Sequence, residues 1–227
     1  YNTFVGYLTG QGGTTSAPFS SGVGNVGIGY GALKGFTTGD ANVAVGQNAL
    51  VSMTTAAYNT AVGDHAGLGI TTGASNVAIG RGTMYTNTTG QNNTAVGKDA
   101  GGTILGSDNT HIGMDAGEYA TGSSNTFVGK GAGQGGTTSA PYSSGESNVA
   151  VGYQAGTSMT TGDRNIAIGY QATAGTVGYD NIVVGKGAGA GFSSGYKNIV
   201  MGNQAAAGHN GVQNVVIGHQ ANGGGST

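Results

Sequence analysis

Asn59-Thr60-Ala61-Val62-Gly63, Asn76-Val77-Ala78-Ile79-Gly80 and Asn93-Thr94-Ala95-Val96-Gly97 follow one another at equal intervals. The same pattern, Asn-[Thr/Val/Ile]-x-[Val/Ile/Met]-Gly, begins at Asn2, Asn25, Asn42, Asn59, Asn76, Asn93, Asn109, Asn125, Asn148, Asn165, Asn181, Asn198 and Asn214. The step from one copy to the next is 16 or 17, except twice, where it is 23. Alanine stands three residues after the closing glycine in eleven copies, and glycine stands three residues before the asparagine in eleven of twelve. The word is thus one fragment of a repeating coil.

Strand periodicity gives the word two faces: the second and fourth positions share one, the first, third and fifth the other. The second position is β-branched in all thirteen copies and the fourth is Val, Ile or Met, which predicts that this face packs as the core. The third position is Ala, Gly, Val or Phe except at His111. Both faces being apolar argues against a solvated side.

A coil of this length cannot close a domain, but coils stacked about 4.8 Å apart make a β-solenoid with columns of like side chains. The sequence predicts an all-β β-solenoid of about thirteen coils over residues 1–221, a rod roughly 60 Å long at that spacing, followed by a Gly-rich tail or linker at 222–227. Asn42, Asn59, Asn76, Asn93 and Asn165 are expected to form an amide ladder. Gly46, Gly63, Gly80, Gly97 and Gly169 are expected at corners needing positive φ or a close backbone approach. With the core assigned to the second and fourth positions, the third would face another copy of the chain, so an oligomer is predicted, with a trimer preferred. That interface would be most apolar at Val183, Val200 and Val216, and would gather His111 near the axis.

Composition narrows the remaining classes. The chain has 50 glycines in 227 residues but only two prolines and no G-X-Y period, which excludes collagen. Apolar residues make up 37% and charged residues 7%, unlike a disordered linker. Glycine recurs too often for helices. Net charge is −2 with seven basic residues, no footprint for nucleic acid. No apolar run is long enough to span a bilayer as a helix. Without cysteine there are no disulfides or thiolate metal sites. The start at Tyr1 and the end in Gly-Gly-Gly-Ser-Thr suggest a piece of a longer protein.

The words at 59–63 and 93–97, with Asn-Val-Ala-Val-Gly-Tyr-Gln-Ala at 148–155 and Asn-Ile-Ala-Ile-Gly-Tyr-Gln-Ala at 165–172, resemble two groups of proteins. One is the left-handed β-roll head of trimeric autotransporter adhesins; the other is the repetitive shaft of bacteriophage tail fibres, which often end in a self-cleaving chaperone domain. The resemblance implies a homotrimeric, extracellular, non-enzymatic fibre of a virion tail or bacterial surface, used for attachment. It carries over no catalytic or binding residue. The coil is longer than is usual in the adhesin heads, which favours a fibre-like solenoid and leaves its handedness open.

Both of the longer intervals contain the same excursion. Residues 10–22 and 133–145 differ only where Phe19 becomes Tyr142, and both prolines lie there. Gln11, Pro18, Phe19, Gln134, Pro141 and Tyr142 on these protruding loops are the candidate contacts for a cell-surface glycan or protein receptor. Threonine pairs such as Thr37-Thr38, Thr54-Thr55 and Thr71-Thr72 raise ice binding as an alternative, and a self-assembling extracellular filament is another. Asp99 and Asp115 share a register, beside Lys98 and Lys130, and read better as a solvated charge cluster than as a glycosidase pair. The Gly-x-Gly triplets come from the repeat and carry no weight as nucleotide motifs. No nucleophile elbow or His-rich metal spacing appears, so the chain reads as non-enzymatic, with no cofactor or metal. Tyr7, Tyr30, Tyr153 and Tyr170 mark an outer column, with Gln154, Gln171, Gln204 and Gln220 beside it.

Overall fold

In the computed structural model the described residues are 1–12, 20–103, 106–135, 144–157, 159–173, 178–190, 194–206 and 211–222. They form an all-β repeat protein, a β-solenoid whose coils have the length the spacing predicts, and every copy of the word supplies one short strand. The strands are β1 (Thr3–Val5), β2 (Val26–Ile28), β3 (Val43–Val45), β4 (Thr60–Val62), β5 (Val77–Ile79), β6 (Thr94–Val96), β7 (Thr110–Ile112), β8 (Thr126–Val128), β9 (Val149–Val151), β10 (Ile166–Ile168), β11 (Ile182–Val184), β12 (Ile199–Met201) and β13 (Val215–Ile217). The chain divides into two compact units, Tyr1–Asn109 with β1–β6 and Thr110–Thr227 with β7–β13.

Within each unit, strands consecutive in the chain pair in parallel, each residue opposite its counterpart in the next coil. Ala44 faces Ala61, Ala61 faces Ala78 and Ala78 faces Ala95 in the first unit. Ala150 faces Ala167 and Val183 faces Val200 in the second. The glycines allow this stacking for two different reasons. Gly63 has φ +138 and a Cβ there would lie 2.6 Å from the Gly80 carbonyl oxygen, so both conformation and space exclude a side chain. Gly73 needs only the space, since its Cβ would lie 2.3 Å from the Gly90 oxygen.

The two faces of the strand are the reverse of what the sequence predicts. Third-position residues, including Ala44, Ala61, Ala95, Ala167, Val183 and Val200, are fully buried inside their own coil. Second and fourth positions point outward: Ile28, Ile79, Ile168 and Met201 are about two-fifths exposed. The physical reason is width. A coil this short, cornered by glycine at the end of each strand, encloses a slot that holds an alanine column but not two columns of β-branched side chains. The third position therefore faces no partner copy, and His111 lies in the interior rather than at an intermolecular axis.

The opposite wall completes the core. In the first unit, Ala49, Ala66 and Ala100 pack with Leu33, Phe36, Leu50, Met53, Ile70 and Met84, which reach in from the turn after each strand. In the second, Ala132, Ala155, Ala172 and Met159 do so. Volume is traded between positions to keep each layer filled. Where the strand carries a large third residue, a glycine six residues later makes room: a Cβ on Gly117 would lie 2.4 Å from the His111 ring and one on Gly133 2.5 Å from the Phe127 ring.

Candidate functional site

The asparagine ladder is buried and structural. Asn59 Oδ1 accepts the Asn76 backbone N–H at 2.9 Å and its Nδ2 at 3.1 Å, and Asn76 Nδ2 also donates to the Gly90 carbonyl at 2.9 Å. Asn42 and Asn93 repeat the pattern in the first unit, where Asn93 N–H binds Asn76 Oδ1. Asn165 does so in the second, donating to Gly178 and accepting from Asn181. The five glycines Gly46, Gly63, Gly80, Gly97 and Gly169 share φ values of +131 to +138. All these groups are consumed in holding coil to coil, which leaves no chemistry for them.

Of the excursion residues, Gln11 is exposed, and Gln134 donates from Nε2 to Glu118 Oε2 at 2.8 Å. Pro18, Phe19, Pro141 and Tyr142 lie outside the described residues. One threonine of each pair is committed to the stack: the Thr37, Thr54 and Thr71 hydroxyls donate to the carbonyls of Thr54, Thr71 and Thr88 in the next coil, while Thr38, Thr55 and Thr72 are exposed. The bonded hydroxyls offer no free donor to an ice surface, so a single row, not a flat double row, faces outward. Among the described residues no group of three or more His, Cys, Asp and Glu side chains is placed to hold a metal ion, and no helix is long and apolar enough to cross a membrane.

The residues after each closing glycine form the outer polar columns. Tyr153 stacks on Tyr170 with ring centroids 5.1 Å apart, and Tyr7 lies against Tyr30 at 5.8 Å with the rings tilted by 31°. Beside them run amide contacts, Gln171 Nε2 to Gln154 Oε1 at 3.0 Å and Gln220 Nε2 to Gln204 Oε1 at 3.1 Å. A third aromatic pair, Tyr179 on Tyr196, is not singled out in the sequence because it lies two residues before the asparagine, where residue types vary. Next to it Arg164 Nε donates to Asp180 at 2.7 Å, and this hydrogen bond holds the Asp180 carboxyl below its ordinary pKa.

A polar hollow of about 210 Å³ opens in the first unit, lined by Asp64, His65, Arg81, Gly82, Tyr85 and Asp99. Gly82 explains its existence. In successive coils the second residue after the closing glycine is Asn48, His65, Gly82 and Asp99, all with positive φ. The missing side chain at 82 leaves a gap between His65 and Asp99, and the Asp99 carboxylate leans into it, 2.3 Å from where a Cβ on Gly82 would sit. His65 Nδ1 lies 2.5 Å from Asp64 Oδ1 without hydrogen-bond alignment, and Arg81 Nε lies 3.9 Å from Asp64 Oδ2. Lys98 Nζ sits 3.0 Å from Asp99 Oδ2, in keeping with the solvated charge cluster read from the sequence. The sequence contained one clue to the hollow, a lone glycine interrupting a column of polar side chains.

The outward strand face is a further surface feature of each unit. Val62, Ile79, Ile112, Ile168, Ile182, Ile199 and Met201 are all exposed there, forming apolar columns along the sheet of each unit. No protein-family model, curated protein or solved structure matches the chain. Fold and surface together define a class, a β-solenoid repeat protein with an apolar outward sheet face.

Proposed function

We propose that the chain is a non-enzymatic structural and adhesive fibre segment that works as a homotrimer outside the cell, on a virion tail or a bacterial surface. The observation that carries this reading is the outward row of β-branched residues. Exposed apolar patches of this continuity mark interaction surfaces, and a regular column of Val, Ile and Met at the fourth position is matched best by the same column on another copy. Copies related by a closed rotation bury the face in register and leave no copy-to-copy interface unpaired. Three copies is the number the tail-fibre and adhesin resemblance implies.

On this reading the contact between copies lies on the second and fourth positions instead of the third. Its most apolar stretch stays toward the C-terminal end, now through Ile182, Ile199, Met201, Val215 and Ile217. A cell-surface glycan or protein is the receptor class, contacted by polar features on the faces turned away from the axis. Light scattering of the purified chain tests the assembly: a trimer mass supports the reading, and a stable soluble monomer removes it. End-to-end polymers in electron micrographs would favour a self-assembling filament instead.

A further inference from the structure

We infer that the hollow over Gly82 binds one neutral sugar residue, a pyranose within or at the end of a glycan chain. The choice of a glycan rests on the adhesive reading above, but the site stands on its own geometry. Its volume of about 210 Å³ is below the roughly 300 Å³ at which drug-sized pockets begin, so it suits a single small ring.

Charge decides against the ions. Asp64 faces Arg81 and Asp99 faces Lys98, so the carboxylates and cations balance. An anion would meet two carboxylates. A metal ion would need converging ligands, whereas Asp64 and Asp99 stand two coils apart, about 10 Å along the stack. What the balanced set offers is a mixture of strong acceptors and strong donors within one ring's reach. Neighbouring hydroxyls of a sugar, each both donor and acceptor, are the chemistry that uses both. Arg81 is mostly exposed at the rim with its donor fork available. The His65 and Tyr85 rings, centroids 6.3 Å apart and tilted by 32°, provide an apolar wall for the C–H face of the sugar.

The test uses the full chain and a panel of methyl pyranosides of glucose, galactose, mannose and N-acetylglucosamine, followed by saturation-transfer NMR, with inorganic phosphate and calcium added as competitors and their own binding read by calorimetry. Binding of at least one neutral pyranoside is expected, with Kd of about 1 mM for about a dozen heavy atoms. Gly82→Asn should weaken it tenfold or more by filling the gap. The stack tolerates asparagine in this column, since Asn48 already occupies it one coil from His65, with side chains 3.4 Å apart. Gly187→Asn, in the same column of the second unit, should leave binding unchanged. If Gly82→Asn does not fold, Asp64→Asn and Arg81→Gln on the rim give the same loss. The inference is overturned if no neutral pyranoside binds, if phosphate or calcium binds in preference, or if sugar binding survives these substitutions. A wild-type trimer that binds no pyranoside would sink this site and leave the fibre standing. Gly82-dependent binding by a monomer would do the reverse.

Discussion

His111 shows what the narrow interior does to a polar side chain. Its ring is fully buried, stacks on Phe127 at 5.0 Å, and neither nitrogen has a hydrogen-bond partner among the described residues. Desolvation therefore pushes its pKa down from 6.5 to about 3. The unfolded chain takes up a proton between these values that the folded chain refuses. Stability from the neutral ring is complete above pH 6.5 and is lost progressively as pH falls toward 3, on the order of a few kcal/mol in total. His111→Phe should remove this loss, because Phe127 and Phe4 occupy the same position in other coils. Urea melts at pH 7 and pH 4 measure it: the variant should gain on the wild type as pH falls, and also at pH 7 by about 1–3 kcal/mol from the two unpaired nitrogens. A constant difference between the two pH values would contradict the account. Gly117→Ala should destabilise, since its φ is +58 and its Cβ position is filled by the imidazole.

At the scale of the coil, the asparagine ladder carries more than any one strand. Asn76→Ala would leave the Asn93 N–H, the Gly90 carbonyl and Asn59 Oδ1 short of a partner, all in the interior. A loss of about 2–4 kcal/mol is expected in denaturant melts. Asn76→Asp keeps the acceptor for Asn93 but sets a carboxylate against Asn59 Oδ1, so its loss should be largest at neutral pH and shrink as the pH falls. The ladder was legible in the sequence because one residue type repeats at one position. The column just before it was not. Ala41, Tyr58, Ser75, Asp108, Arg164 and Lys197 all have φ between +53 and +62, yet they share no side-chain chemistry, since only the backbone conformation is required there. Ala41→Gly should raise stability by about 0.5–1 kcal/mol by relieving that conformation, readable as a higher melting midpoint.

For the molecule as a whole, the repeat length, the parallel in-register strands and the glycine corners could all be read from the thirteen words. Which strand face lies inside could not be. Alternation separates two faces, and both here are apolar, so hydrophobicity does not choose between them; volume does. Phe4 with Gly10, His111 with Gly117 and Phe127 with Gly133 show this in the structure, each ring filling the space where a Cβ would stand, but glycine also stands six residues after Ala61, Ala95 and Ala150, so the sequence does not single these pairs out. The Gly82 hollow was hidden for a different reason: it is assembled from three coils, and only the stacking register brings His65, Arg81 and Asp99 together. The inverted faces also move the proposed contact between copies onto Val62 and Ile79, which neighbour each other on β4 and β5. The most direct measurement is the mass of the assembled protein by light scattering, for the wild type and for Val62→Lys/Ile79→Lys with matching circular dichroism. A trimer for the wild type and a folded, lower-mass species for the variant are expected. A wild type that stays a soluble monomer, or a variant whose assembly is unchanged, would contradict the claim that this face holds the copies together.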